Sequence, residues 1–221
     1  VPVQLDQPIE ELSTTTTTST KLLVGSTVDL ARGLKVFGDS VKGVMDHVFE
    51  QSNQNNELGN LSLEWKVLSD DYLPEKAREN VQQLINENIH LLFCQAGSEP
   101  FNAFIDLVQK GLMTVLFPLP GQPGNRSTLK LKHCIYLTPS YEDETKALCY
   151  YILKNMAPKH IMMIYQDDVF GKVVTETAKK ILDAHKIKYT SIPYKRNDMD
   201  VTSQINAIDQ SDADVIGLFS S

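Results

Sequence analysis

The chain has 221 residues, 42% of them hydrophobic and 22% charged, enough to bury one large core or two small ones and too apolar for a disordered chain. The formal charge is -7, from 28 acidic against 21 basic residues, with no Lys/Arg cluster to neutralise phosphates, so nucleic acid is excluded as a partner. No apolar run approaches the ~20 residues that span a bilayer, so no transmembrane segment is expected. No charged, apolar-cored leader opens the sequence, which leaves a cytoplasmic protein or one whose leader has been removed.

Residues 1–20 end in a Ser/Thr run, Ser13 to Thr20, with nothing to pack, and read as a flexible tether. Leu22-Leu23-Val24 then reads as a short buried strand, with Gly25-Ser26-Thr27 as a small-residue turn and a helix over Val36 to Gln51. A second strand is expected over Leu61 to Ser69, and Pro74 fits the first turn of a helix reaching Asn88. Ile89 to Cys94 reads as the third strand, and Gln95 to Pro100 as a polar turn in which Ser98 is the candidate helix cap, before a helix to Lys110. Leu112 to Phe117 is the fourth strand, followed by a Pro/Gly-rich loop over Pro118 to Ser127 and a short strand at His133 to Leu137.

A helix over Tyr141 to Met156 leads to the most informative stretch, Ile161 to Gly171. There an apolar run stops abruptly at Gln166-Asp167-Asp168 and a helix follows to about His185. A strand at Lys188 to Tyr194, a helix at Val201 to Gln210 and a strand at Val215 to Phe219 complete the alternation. Strands alternating with helices imply βαβ crossovers and parallel sheets, an α/β fold. The interruption at Pro118 to Pro139 divides it into two Rossmann-like lobes, over residues 21–137 and 138–221, with a hinge and a cleft between them. The second lobe stops directly after a strand, so the fold is expected to be incomplete at the carboxyl end.

Enzyme signatures fall short. The turn Gly25-Ser26-Thr27-Val28-Asp29 lacks the glycine spacing of a dinucleotide site, and there is no P-loop. Ser26, Ser98 and Ser140 lie outside any Gly-x-Ser-x-Gly elbow, and the five histidines fall in helices or beside strands. The three cysteines, Cys94, Cys134 and Cys149, are widely spaced in apolar contexts and read as core thiols, without zinc-ligand spacing. Asp70-Asp71 and Asp167-Asp168 sit at strand carboxyl ends, where paired carboxylates either hold Mg²⁺ or form turns and helix caps. What remains is a set of polar and aromatic residues at one edge: Ser26, Thr27, Gln95, Gly97, Ser98, Gly121, Tyr141, Asp168, Phe170 and Ser220. Hydroxyls, helix-start N–H groups and an aromatic wall suit reversible capture of a small polar molecule, without cofactor or metal.

The ordered motifs Leu22 to Gly43, Asp70-Asp71-Tyr72-Leu73-Pro74, Gly97-Ser98, Pro139-Ser140-Tyr141-Glu142-Asp143-Glu144, Tyr165 to Gly171 and Tyr194-Lys195-Arg196-Asn197-Asp198 resemble type I periplasmic binding proteins. Within these, the chain is most similar to the branched-chain amino-acid (Leu/Ile/Val) receptor-like group. The resemblance implies two α/β lobes that close like a hinge on a ligand. It places Ser98 against the ligand's main-chain charged groups, the Leu119 to Gly121 loop beside it, Phe170 opposite and Phe219 to Ser221 nearby. It further implies a periplasmic or extracellular location, a small polar ligand (amino acid, carboxylate or amide), a membrane transporter or signalling partner, and no catalysis. The alternative is a sensory or structural module of a cell-envelope assembly that keeps this fold.

Overall fold

The computed structural model describes residues 20–119, 131–196 and 198–220. The first half holds β1 (Thr20–Val28), α1 (Lys35–Gln54), β2 (Leu61–Ser69), α2 (Pro74–Asn86), β3 (Leu91–Phe93), α3 (Ser98–Gln109), β4 (Thr114–Leu116) and β5 (Cys134–Ile135). The second holds α4 (Tyr141–Met156), β6 (His160–Gln166), α5 (Val169–Ala184), β7 (Lys188–Tyr194), α6 (Thr202–Asp209) and β8 (Val215–Phe219). Two sheets result, a five-stranded one in the order β2-β1-β3-β4-β5 and a three-stranded one in the order β7-β6-β8. Every strand pair is parallel, so each connection is a crossover and all the loops at one end of a sheet follow strand carboxyl ends.

In the first lobe, α2 and α3 bury one face against the sheet. Ala77, Val81 and Leu84 of α2 meet Phe101, Phe104, Leu107 and Val108 of α3 over Leu92 and Val115, and each large side chain here contributes about 2 kcal/mol by leaving water. The second lobe repeats the scheme with Cys149 of α4, Ile161 and Met163 of β6, and Ala178, Ile181 and Leu182 of α5. Cys134 and Cys149 are buried and Cys94 is half-buried, in keeping with core thiols. At the amino end of β6 the buried His160 lies 2.5 Å from Asp212 and 2.9 Å from Thr190 through its two ring nitrogens, tying three chain segments together far from the strand carboxyl ends.

The strands and helices depart from expectation mainly at their ends. Thr20, assigned to the tether, is the first residue of β1, while residues 1–19 lie outside the described residues. Gly25-Ser26-Thr27 is not a turn, since β1 runs through it to Val28 in unbroken register with β2. The glycine serves close packing instead: a Cβ on Gly25 would stand 2.8 Å from a methyl of Leu84, so α2 approaches β1 only because that side chain is missing. The strand expected at His133 to Leu137 shortens to two residues, Cys134–Ile135. The hinge loop from Pro120 to Lys130 lies outside the described residues.

Candidate functional site

The β3–α3 turn is shaped by Gly97, whose φ of +98° lies where side chains are strained and whose Cβ, if present, would meet the Tyr72 ring at 2.8 Å. Gly97 therefore takes the cap position, and Ser98 is the first helical residue. Gln95 is buried and donates its amide to the carbonyls of Ala96 (2.6 Å) and Gly97 (3.1 Å), stiffening the turn. Leu119 pairs with the same turn: its N–H donates to Gln95 and its carbonyl accepts from Gly97.

The neighbouring β2–α2 turn holds Asp70, fully buried, which accepts from the Thr27 hydroxyl (2.9 Å) and the Tyr72 N–H (2.8 Å). Burial pushes its carboxyl up to about 6 against the pull of those two donors, and the nearby Asp29 and Asp71 raise it further. Asp29 goes the other way. Burial opposes its ionisation, but the N–H groups of Leu34, Ala31 and Arg32 hold it charged, and its pKa falls below the ordinary value. Asp71 and Tyr72 have φ of 52° and 58°, an arrangement costly for non-glycine residues, and it swings the Tyr72 ring onto Gly97.

In the second lobe, Asp168 caps α5 by accepting from Gly171 N–H at 2.9 Å and also accepts from the Gln166 amide. Gly171 is fixed by geometry, because a Cβ there would stand 1.9 Å from the Gln166 carbonyl oxygen. Asp167 pairs with Lys172 at 2.8 Å. The two aspartates thus serve the turn itself, and among the described residues no group of three His, Cys, Asp or Glu side chains is placed to hold a metal. Ser140 caps α4 by accepting from Asp143 N–H at 3.1 Å, which sets Tyr141 at the helix start.

Side chains from the two lobes meet here. Within the second lobe the rings of Tyr141 and Phe170 pack edge to face with centroids 4.6 Å apart, and the Tyr141 hydroxyl interacts with Ser98 of the first lobe. Burial raises the Tyr141 phenol above its ordinary range. Glu99, in the first turn of α3, accepts from Val169 N–H of α5 at 2.8 Å. Arg196, just past β7, stacks over Tyr72 at 3.4 Å from the ring centroid. Of the residues expected at one edge, Gln95, Gly97, Ser98, Leu119, Tyr141, Asp168 and Phe170 come together around this seam. Ser26 and Thr27 lie inside β1, Thr27 reaching the site only through Asp70. Ser220 instead borders an apolar hollow of about 390 Å³ with Ile164, Ile216 and Leu218, and Gly121 lies outside the described residues.

Tyr72, Glu99 and Arg196 also meet at the seam and are not among the residues that strand-end position singles out. Tyr72 carries the one readable signal, an aromatic after an Asp-Asp pair at a strand end, as Phe170 also is.

The profile of the periplasmic binding protein family matches residues 24–221. The chain belongs to the periplasmic binding protein family. A possible leucine/isoleucine/valine-binding protein from Rhodopirellula baltica SH 1 superposes with a TM-score of 0.81 at 18% identity, over 94% of this chain and 58% of that one. A leucine binding protein from Thermotoga maritima MSB8 gives 0.78 at 13% identity, over 89% and 55%. A solute binding protein from R. palustris, in complex with 4-hydroxybenzoate, gives 0.78 at 18% identity, over 90% and 54%. No curated protein matches the sequence. The chain spans little more than half the length of these structures, and at such identities the likeness speaks for the type I periplasmic binding protein fold.

Proposed function

We propose that this periplasmic binding protein acts outside the cytoplasm as a solute-binding protein, capturing a small polar molecule in the seam between its lobes and presenting the closed form to a membrane transporter. The lobes divide at about residue 137, as the sequence pattern indicates. The observation that carries the reading is that Ser98 of the first lobe faces the Tyr141 and Phe170 pair of the second, beside the Val169 N–H to Glu99 bond, at strand carboxyl ends where open parallel sheets bind ligands. Closure trades the Tyr141–Ser98 contact for contacts to the solute, while the Tyr141 and Phe170 rings form an apolar wall. The described residues at the seam supply hydroxyls, a helix start and aromatic rings, a lining that suits reversible binding. The structural neighbours named for leucine and 4-hydroxybenzoate point the ligand class toward small carboxylates and amino acids.

Titration calorimetry against amino acids, amides and small carboxylates is the test. At least one should bind, and Ser98→Ala together with Phe170→Ala should abolish its binding. A flat titration for every member would sink the reading and favour the cell-envelope module instead.

A further inference from the structure

The seam is crossed by direct bonds between protein groups, and three of the residues that make them, Tyr72, Glu99 and Arg196, lie outside the Ser98, Tyr141 and Phe170 set. Arg196, just past β7 of the second lobe, stacks on the Tyr72 ring of the first at 3.4 Å from its centroid and donates a hydrogen bond to its hydroxyl. Burial raises the Tyr72 phenol, Arg196 pulls it back, and Asp168 and Glu99 push it up again, so three charged groups face this one ring. The ring is also held from behind. Gly97 leaves room for it, since a Cβ there would stand 2.8 Å away, and φ of 52° and 58° at Asp71 and Tyr72 aims it across the seam. Two residues are thus strained to deliver one ring to the other lobe's cation, and strain of this kind persists where a movable part needs it.

Glu99 makes the second crossing, and it acts as a helix cap given by one lobe to the other. Val169 is the first helical residue of α5, so its N–H has no partner within that helix. Asp168 satisfies the Gly171 N–H from inside the second lobe, and Glu99 satisfies the Val169 N–H from across the seam at 2.8 Å. A carboxylate at the positive end of a helix gains from the dipole as well. Glu99 also faces Lys172, whose ammonium Asp167 and, to a smaller degree, Glu99 keep charged. The first lobe therefore supplies a ring and a carboxylate, and the second a cation and an N–H. We infer that the Arg196–Tyr72 stack and the Glu99–Val169 bond form a clasp that closes the lobes without help from a solute, so that the protein alone populates the closed form and a solute selects it. The clasp then tunes affinity from outside the solute's own contacts, because a weaker clasp lowers the fraction of closed protein. This inference goes beyond the solute-binding reading and stands independently of it.

The test is pulsed electron–electron resonance on the full chain, with one spin label at the exposed Gln82 of α2 and one at the exposed Lys180 of α5, both on noncanonical side chains so that the three cysteines stay in place. With no solute added, the wild type should give one dominant short distance. Tyr72→Leu and Arg196→Gln should each lower the closed-to-open ratio roughly threefold to tenfold, the range of a partly desolvated cation–π contact, with Arg196→Lys between. The double variant should do no more than either single one, since both remove the same contact. Glu99→Gln should lower the ratio by a further factor on top of either. If Tyr72→Leu fails to fold, Arg196→Gln and Glu99→Gln carry the same test. A wild type already open, distances indifferent to every variant, or Tyr72 and Arg196 effects that multiply overturn the clasp. None of these outcomes bears on solute capture, which the titrations above decide.

Discussion

The β2–α2 and β6–α5 turns both open on an Asp-Asp pair, in Asp70-Asp71-Tyr72-Leu73-Pro74 and Asp167-Asp168-Val169-Phe170-Gly171, and use it in different ways. In the first, the leading aspartate turns inward, loses all contact with water and binds Thr27, while the second pairs with a lysine five residues on. In the second, the leading aspartate makes the lysine pair, again five residues on, and the trailing one caps the helix. One turn thereby buries an ionisable group and strains two residues into positive φ, and the other relaxes into an ordinary capped helix start with a glycine. Yet both deliver an aromatic ring to the seam, Tyr72 beneath Arg196 and Phe170 beside Tyr141. The two lobes share an aspartate paired with a lysine five residues on and a ring delivered to the seam, and differ in what the other aspartate does.

The comparison breaks most severely at Gly171. Its replacement by alanine puts a methyl 1.9 Å from backbone that cannot give, and thermal denaturation should show a loss above about 3 kcal/mol, or roughly 6–12 °C. The next effect is the pH dependence that the buried Asp70 imposes. Asp70 keeps its proton up to about pH 6 when folded and to about 3.8 when unfolded, so its contribution is complete below the lower value and lost as pH rises through the upper. Denaturant titrations of wild type against Asp70→Asn should diverge by about 3 kcal/mol across that window, with the wild type the relative loser at high pH.

Smaller changes sharpen the contrast. Glu99→Ala removes the bond to Val169 N–H and should cost the closed form about 1–2 kcal/mol, visible as a larger radius of gyration in small-angle scattering. Asp168→Ala should cost about 1 kcal/mol of melting stability, the ordinary loss of a helix cap. Lys76→Ala and Lys172→Ala, which break the matched surface pairs, should leave the denaturation midpoint where it is.

Much of this was legible in the residues. The strands Leu61–Ser69, Lys188–Tyr194 and Val215–Phe219 and the helix Tyr141–Met156 fall where apolar periodicity and caps place them, because each is bounded by a clear break in pattern. The Gly25-Ser26-Thr27 segment misleads because small residues serve both turns and close helix packing, and only the approach of Leu84 distinguishes the two. For the site, Ser98, Tyr141 and Phe170 could be read from strand-end position. Glu99 and Arg196 could not, since their roles exist only across the seam, between residues far apart in sequence. Tyr72 sits between, its position readable but its left-handed backbone unannounced by any glycine.

The bond from Val169 N–H to Glu99 joins the first turn of one lobe's helix to that of the other. An amide held in this way is freed to trade its hydrogen for deuterium when the lobes part. The exchange rate of that single proton is therefore a clock for the hinge: each solute that holds the lobes together slows it, and a molecule that merely adheres elsewhere leaves it running.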